Sequence, residues 1–193
     1  MSAPAGASEP VRRPVSPRGR SFIAVPGLEI GPVPFDGPEA QALIDALMSD
    51  LDERYSRDGP GAGDAPEIAQ LWAVRTDQVT PPRGVFLVAR LAGEPVGCGA
   101  VRRVLGEPED VAEIKRMYTA PTARGRGISR ALLAALEAEA AALGYRRVQL
   151  ETGLRQPEAI RLYTWAGYER IPDYGQYAGD ELALCFAKDL HPS

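Results

Sequence analysis

The segment TAPTARGRGISRALLAAL, residues 119–136, sets two glycines and three arginines directly before an apolar-striped helix. Glycine reaches backbone conformations closed to other residues and lets a ligand approach the main chain. The free amides that open a helix, with the helix dipole behind them, attract an anion. A loop of this composition suits a phosphate. The nucleotide-hydrolysing loop G-x-x-x-x-G-K-[ST] is ruled against because no lysine follows the glycines. A dinucleotide fingerprint fits poorly, because Gly125-x-Gly127-x-x-Arg130 lacks the third glycine. Other reaction chemistries have few candidates. His191 is the single histidine, which argues against Ser-His-Asp, Cys-His and His-ligated metal mechanisms. Cys98 and Cys185 lie far apart, match no metal spacing and sit in apolar runs, so buried free thiols are expected and no metal site.

The elements that must position this loop follow from periodicity. Residues 28–35 read as a strand, and Asp36 with Glu39 has the form of a helix cap and capping box. Leu43, Ile44, Leu47, Met48 and Leu51 then recur on one helical face. The run DGPGAGD, residues 58–64, stops any helix, and a short helix or irregular segment is expected near 67–72. GVFLVARL and PVGCGAVRRV are strands joined by a hairpin at Ala92-Gly93-Glu94. Residues 111–119 alternate, placing Val111, Glu113, Lys115, Met117 and Thr119 on one face. The helix after the loop shows a buried stripe of Ile128, Leu132, Ala135, Leu136 and Leu143, closed by Gly144. A strand at 145–152, a helix starting near Pro157 and strands at 168–171 and 181–190 complete a mixed α/β layer.

The chain has 193 residues, 45% of them hydrophobic and 25% charged, which fits one soluble domain with a sizeable core. A formal net charge of −4 gives no reason to expect nucleic acid held by bulk charge. No apolar run is long enough for a membrane span, so no membrane partner is expected. Residues 1–26 are rich in Pro, Ser, Gly and Arg and lack the apolar segment of a secretory signal. They read as a disordered tail before a single domain at 27–190, in a cytoplasmic protein.

Arg124-Gly125-Arg126-Gly127-Ile128-Ser129 resembles the [RQ]-x-x-G-x-[GA] loop of the GNAT acyl-CoA N-acyltransferases. AEIKRMYTAPTARGRGISRALL is similar to that family's strand, loop and helix in register, and QLETGLRQPEAIRLYTWAGY to its next strand and helix. The resemblance covers residues 85–190; Ser129 departs from the usual Gly or Ala. It implies the GNAT fold: a central mixed sheet of six to seven strands with a splayed pair, flanked by about four helices. It also implies acetyl-CoA (coenzyme A) as the acyl donor. Backbone of Gly125, Arg126, Gly127, Ile128, Ser129 and Arg130 would wrap the pyrophosphate, with added charge from Arg124 and Arg126. Met117, Tyr118 and Thr119 would hold the pantetheine arm through main-chain groups, and Gln156 would contact the cofactor by its side-chain amide.

Transfer of an acyl group to an amine needs a neutral nucleophile, a polarised carbonyl and a protonated leaving thiolate. By the same resemblance Tyr163 points at the coenzyme sulfur and protonates the thiolate. Glu113 and Glu151 are both candidates for the general base, and each is also readable as a substrate-binding charge or a structural partner of Arg116 or Arg147; a water chain without a single base is the third option. The expected reaction is direct acetyl transfer to a small-molecule or peptide amine, with a non-catalytic acyl-CoA sensor or a transferase of longer acyl groups as alternatives. Asp58, Asp64, Asp173, Asp180 and Glu181 would make the acceptor's approach acidic, and Tyr55, Tyr174 and Tyr177 would line a pocket or simply pack. Homodimers are common in the family, so a homodimer is expected by analogy.

Overall fold

The structure, a computed structural model, describes residues 25–55, 73–104 and 106–190. The tail before residue 25, the run at 58–64, the segment at 67–72 and His191 lie outside the described residues. The elements are β1 (Leu28–Pro32), α1 (Pro38–Tyr55), β2 (Gly84–Leu91), β3 (Glu94–Arg103), β4 (Val111–Thr119), α2 (Ile128–Ala142), β5 (Arg147–Gly153), α3 (Pro157–Ala166), β6 (Glu169–Arg170) and β7 (Ala183–Asp189). The strands form one seven-stranded sheet in the order β1-β2-β3-β4-β5-β7-β6. Three helices flank it among the described residues, where about four were expected.

Strand β2 shows why its sequence is an unbroken apolar run rather than an alternation. Val85, Leu87 and Ala89 pack with α2 on one face, while Phe86 and Val88 pack with Ala40, Leu43 and Leu47 of α1 on the other. Both faces of this half of the sheet are covered, so both sets of side chains are apolar. The β2–β3 hairpin turns on Ala92 (φ 52°) and Gly93 (φ 87°), the paired positive angles that match the twist of the strands. The stripe of α2 is broader than its periodicity suggested: Leu133 and Ala140 join Ile128, Leu132 and Leu136 in the core, while Ala135 and Leu143 are half-buried. In α1, Met48 is exposed instead of packed. The expected capping box does not form, because the Glu39 carboxylate accepts from Arg90 Nε of β2 at 2.7 Å.

Two features of β4 shape everything that follows. First, it pairs with β5 in parallel only at Val111↔Arg147, Ala112↔Val148 and Glu113↔Gln149, so the two strands part beyond Glu113. Among the described residues the remaining edge of β4 has no ladder partner on that side. Second, the register with β3 slips between Cys98 and Ala100, and Arg116 takes a positive φ of 57°. This bulge inserts one residue and flips the alternation after it. Ile114 and Met117 therefore share the α2 face, whereas Glu113 and Lys115 face the α1 side. The expectation that Met117 continues the Glu113–Lys115 face is corrected by that bulge.

Candidate active site

The glycine loop begins with a short 3-10 turn at Pro121–Ala123 and ends at Gly127, the residue that caps α2. Gly125 and Gly127 adopt φ of 80° and 84°, the left-handed region that costs other residues roughly 1–2 kcal/mol. Neither is squeezed: a Cβ on Gly125 would meet nothing within 4 Å. Backbone angle, not space, demands glycine here. No side chain caps α2, and among the described residues no acceptor is found for the amides of residues 125–130. A run of open main-chain donors at a helix start is chemically suited to an anion.

Beside the loop lies a cavity of about 190 Å³. Its walls bring together Met117, Tyr118 and Thr119 from the end of β4, with Arg124, Gly125, Ile128 and Ser129 from the loop. Gln156, Leu162 and Tyr163 come from α3 and its approach. Arg126, Gly127 and Arg130 belong to the same loop but do not line this cavity. The Arg130 guanidinium stacks on the Trp165 ring, 4.3 Å from its centre. Arg126 is exposed.

Three charged residues in this cavity wall carried no functional reading in the sequence. Asp50 and Arg54 of α1 and Glu158 of α3 close it on the α1 side. Arg54 donates to Asp50 at 2.9 Å and also pairs with Glu158. Arg124 donates to Asp50 Oδ1 at 2.8 Å and to the Thr119 carbonyl at 3.0 Å. Burial alone would raise the Asp50 carboxyl, but the hydrogen bonds from Arg124 and Arg54 outweigh it and hold it below its ordinary range. Arg124 thus fastens the loop to α1, and its charge is already matched by a carboxylate. The Asp50–Arg54 spacing of four residues on a helix was visible in the sequence; the direction it faces was not.

Tyr163 is 4% exposed and packs against Tyr168 and Phe186, with ring centres 5.7 and 6.3 Å away. Burial first, and then the nearby Glu151 carboxylate, push its phenol well above the ordinary range, so it keeps its proton. The two carboxylates named from sequence behave differently. Glu113 is 2% exposed and saturated. Its Oε2 accepts from Arg102 Nε and Nη2, both at 2.8 Å. Its Oε1 accepts the hydroxyls of Tyr174 at 2.9 Å and Tyr177 at 3.2 Å. The partner is Arg102, its neighbour in the β3–β4 register, and neither Arg116 nor Arg147. Arg147 pairs instead with Asp189 at 2.5 Å. Glu151, by contrast, accepts no hydrogen bond among the described residues. Burial, partly offset by Lys115, raises its carboxyl to about 7.

The buried pairing of Glu113 with Arg102 has a measurable consequence. Removing one member of a buried ion pair leaves the other charge uncompensated, at a cost of about 3–5 kcal/mol. Glu113→Ala should therefore lose about that much stability in urea unfolding, and a loss below about 1 kcal/mol would contradict a stabilising Arg102–Glu113 pair.

The thiols are as expected: Cys98 and Cys185 are buried and free, pushed up by burial to about 12 and about 11. Asp173 pairs with Arg170 at 3.5 Å, and Asp180 accepts from the Leu182 amide at 2.9 Å, so both have local duties. Tyr174 and Tyr177 hold Glu113, while the Tyr55 hydroxyl lies over Gly153 and 3.5 Å from the Gln156 amide. Among the described residues no group of His, Cys, Asp or Glu is placed to hold a metal ion, and no helix is long and apolar enough to cross a membrane.

Comparison with known proteins agrees with this geometry. A sequence model of the GNAT acetyltransferase family matches residues 44–168. An IAA acetyltransferase of Azospirillum brasilense is 43% identical over 105 residues, which are 54% of this chain and 67% of that protein. An uncharacterised N-acetyltransferase of Escherichia coli is 33% identical over 109 residues, 56% of this chain and 62% of that one. Among solved structures, one from Klebsiella pneumoniae described as an acyl-CoA N-acyltransferase superposes with a TM-score of 0.67 at 31% identity, covering 85% of this chain and 98% of its own. With the family's fold, its splayed strands and its open-amide loop all present, the chain belongs to the GNAT acetyltransferase family.

Proposed function

We propose that the protein transfers an acetyl group from acetyl-CoA directly to a primary amine. One observation carries this reading: Gly125, Ile128 and Ser129 of the open-amide loop line the same cavity as Tyr163, beside the gap where β4 and β5 part. The residues fit coenzyme A. The open amides suit a pyrophosphate, the unpaired edge of β4 suits the amide-bearing pantetheine arm, and Gln156 offers a side-chain amide beside it. Acetyl-CoA, when bound, supplies the activated thioester. The name of the Azospirillum relative supports acetyl as the transferred group.

The chain's own residues divide the proton work. An alkyl ammonium near its ordinary pKa of 10.4 must shed a proton, at about 4–5 kcal/mol at pH 7. Glu151 accepts it, because its oxygens are unbonded and its affinity for protons sits near the working pH. A main-chain amide near Met117 or Tyr118 steadies the developing oxyanion, typically by about 2.7–4 kcal/mol. Tyr163 keeps its proton until the sulfur leaves and then donates it. Acid and base are thus two groups whose environments set them apart.

The sign of the pH dependence follows. The Glu151 carboxylate is the active form, and it replaces the acid as pH rises through about 7. The rate constant kcat/KM should climb through that pH, and Glu151→Gln should abolish this inflection and slow transfer by about 10²-fold or more. A variant that keeps both the inflection and the rate would transfer the role to water. Mass spectrometry of an amine panel incubated with acetyl-CoA and longer acyl-CoAs tests the reaction itself. Acetylated amines are expected. Coenzyme binding with no acylated product would point to a sensor, and preference for a longer chain to a different donor.

A further inference from the structure

We infer that the acceptor carries a carboxylate close to its amine, and that Lys115 binds that carboxylate: the substrate is an amino acid rather than a simple amine. The inference rests on the acyl-transfer reading above and adds the chemical class of the acceptor.

Lys115 stands two residues beyond Glu113 on β4, where β4 has already parted from β5. Its side chain is only 13% exposed. The cation is poorly matched by the protein. Its ammonium donates to the Tyr177 hydroxyl, and that hydroxyl in turn donates to Glu113. The nearest carboxylate oxygen, Glu113 Oε1, is 3.9 Å away, beyond hydrogen-bonding reach, and already serves two phenols. Glu113 is moreover the direct partner of Arg102, whose charge cancels it. Lys115 therefore keeps two N–H donors without an acceptor among the described residues. A buried charge in this condition is costly unless an anion joins it. Burial disfavours the charged form, attraction from Glu113 and then Glu151 offsets it in part, and repulsion from Arg102 and Arg116 works against that offset, so that an incoming carboxylate would add to the two that favour the cation.

The surroundings fit an amino acid. Glu151 lies on the same sheet face across the gap, with no ion pair joining it to Lys115. An unbonded carboxylate for the amine and an under-bonded ammonium for the carboxylate thus lie on one face of the sheet where β4 and β5 part. Tyr174 and Tyr177 pack edge to face at 5.3 Å beside Lys115, and Glu113 fixes both hydroxyls. Gln149, 4% exposed on that face at the point where the strands part, has a side-chain NH₂ with no partner and offers a further donor.

The test pairs each amino acid with its amide and its decarboxylated amine, scoring binding by calorimetry in the presence of coenzyme A and transfer by kcat and KM. The parent should prefer the free amino acid by about tenfold or more, the range expected of a hydrogen bond to a charged group. Compared at a pH well above the Glu151 inflection of each variant, since Lys115 also holds the Glu151 carboxyl down, Lys115→Met should raise KM for the amino acid by a similar factor and raise KM for the carboxylate-free amines far less; Lys115→Arg should restore part of the preference. Coenzyme A affinity checks that each variant is folded. Amines acetylated while amino acids neither bind nor react would overturn the inference and leave acyl transfer standing. Lys115-dependent binding of amino acids with no acceptor acetylated would support the carboxylate site and overturn acyl transfer. An equal fall in kcat for every acceptor in Lys115→Met would overturn the specificity role.

Discussion

Gly127→Glu should abolish coenzyme A binding in calorimetry while leaving the protein folded. Two separate effects add. Gly127 holds φ at 84°, so any side chain there carries backbone strain of roughly 1–2 kcal/mol. The glutamate then sets a negative charge at the helix start, where the open amides would otherwise receive a diphosphate. Gly127→Ala separates the two. It pays the strain without the charge, and its Cβ would approach only Val25 at 3.7 Å, an ordinary contact. The alanine variant should bind within about tenfold of the parent, which is the size of a 1.4 kcal/mol change. The glutamate variant should fall below detection. Equal losses in both variants would mean that loop shape, rather than anion capture, dominates.

Tyr163→Phe should lower kcat by about 10²-fold or more with little change in coenzyme A affinity, the usual size of a general acid's contribution. The substitution keeps the ring, and so keeps the packing against Tyr168 and Phe186. Only the hydroxyl is lost. A matched fall in affinity would show that the phenol holds the cofactor in the ground state. An unchanged kcat would remove it from the chemistry.

The sequence made the central motif legible because its reasons are local. Positive φ at Gly125 and Gly127, and the absence of a cap on α2, are properties of six consecutive residues. The parting of β4 from β5 followed from the resemblance rather than from any pattern in these strands, and the order of strands in the sheet was not read from the sequence at all. What stayed hidden depended on through-space partners. Whether Glu113 or Glu151 is available to accept a proton turns on Arg102, Tyr174 and Tyr177, which lie 11, 61 and 64 residues away. The Arg102–Glu113 pair was within reach of a register count across the β3–β4 turn. The two phenols were not, since nothing in a loop's sequence says which strand it folds over. The bulge at Arg116 was equally invisible: a non-glycine residue in the left-handed region breaks an alternation that the residue types support. The Asp50–Arg124 pair, which ties one loop arginine to a carboxylate of α1, needed the position of that helix.

A crystal structure of the protein with coenzyme A is the most direct measurement. It should show the pyrophosphate oxygens within hydrogen-bonding distance of the amides of residues 125–130, the pantetheine arm along the unpaired edge of β4, and the sulfur beside the Tyr163 hydroxyl. Coenzyme A bound elsewhere, or a sulfur turned away from Tyr163, would contradict the account.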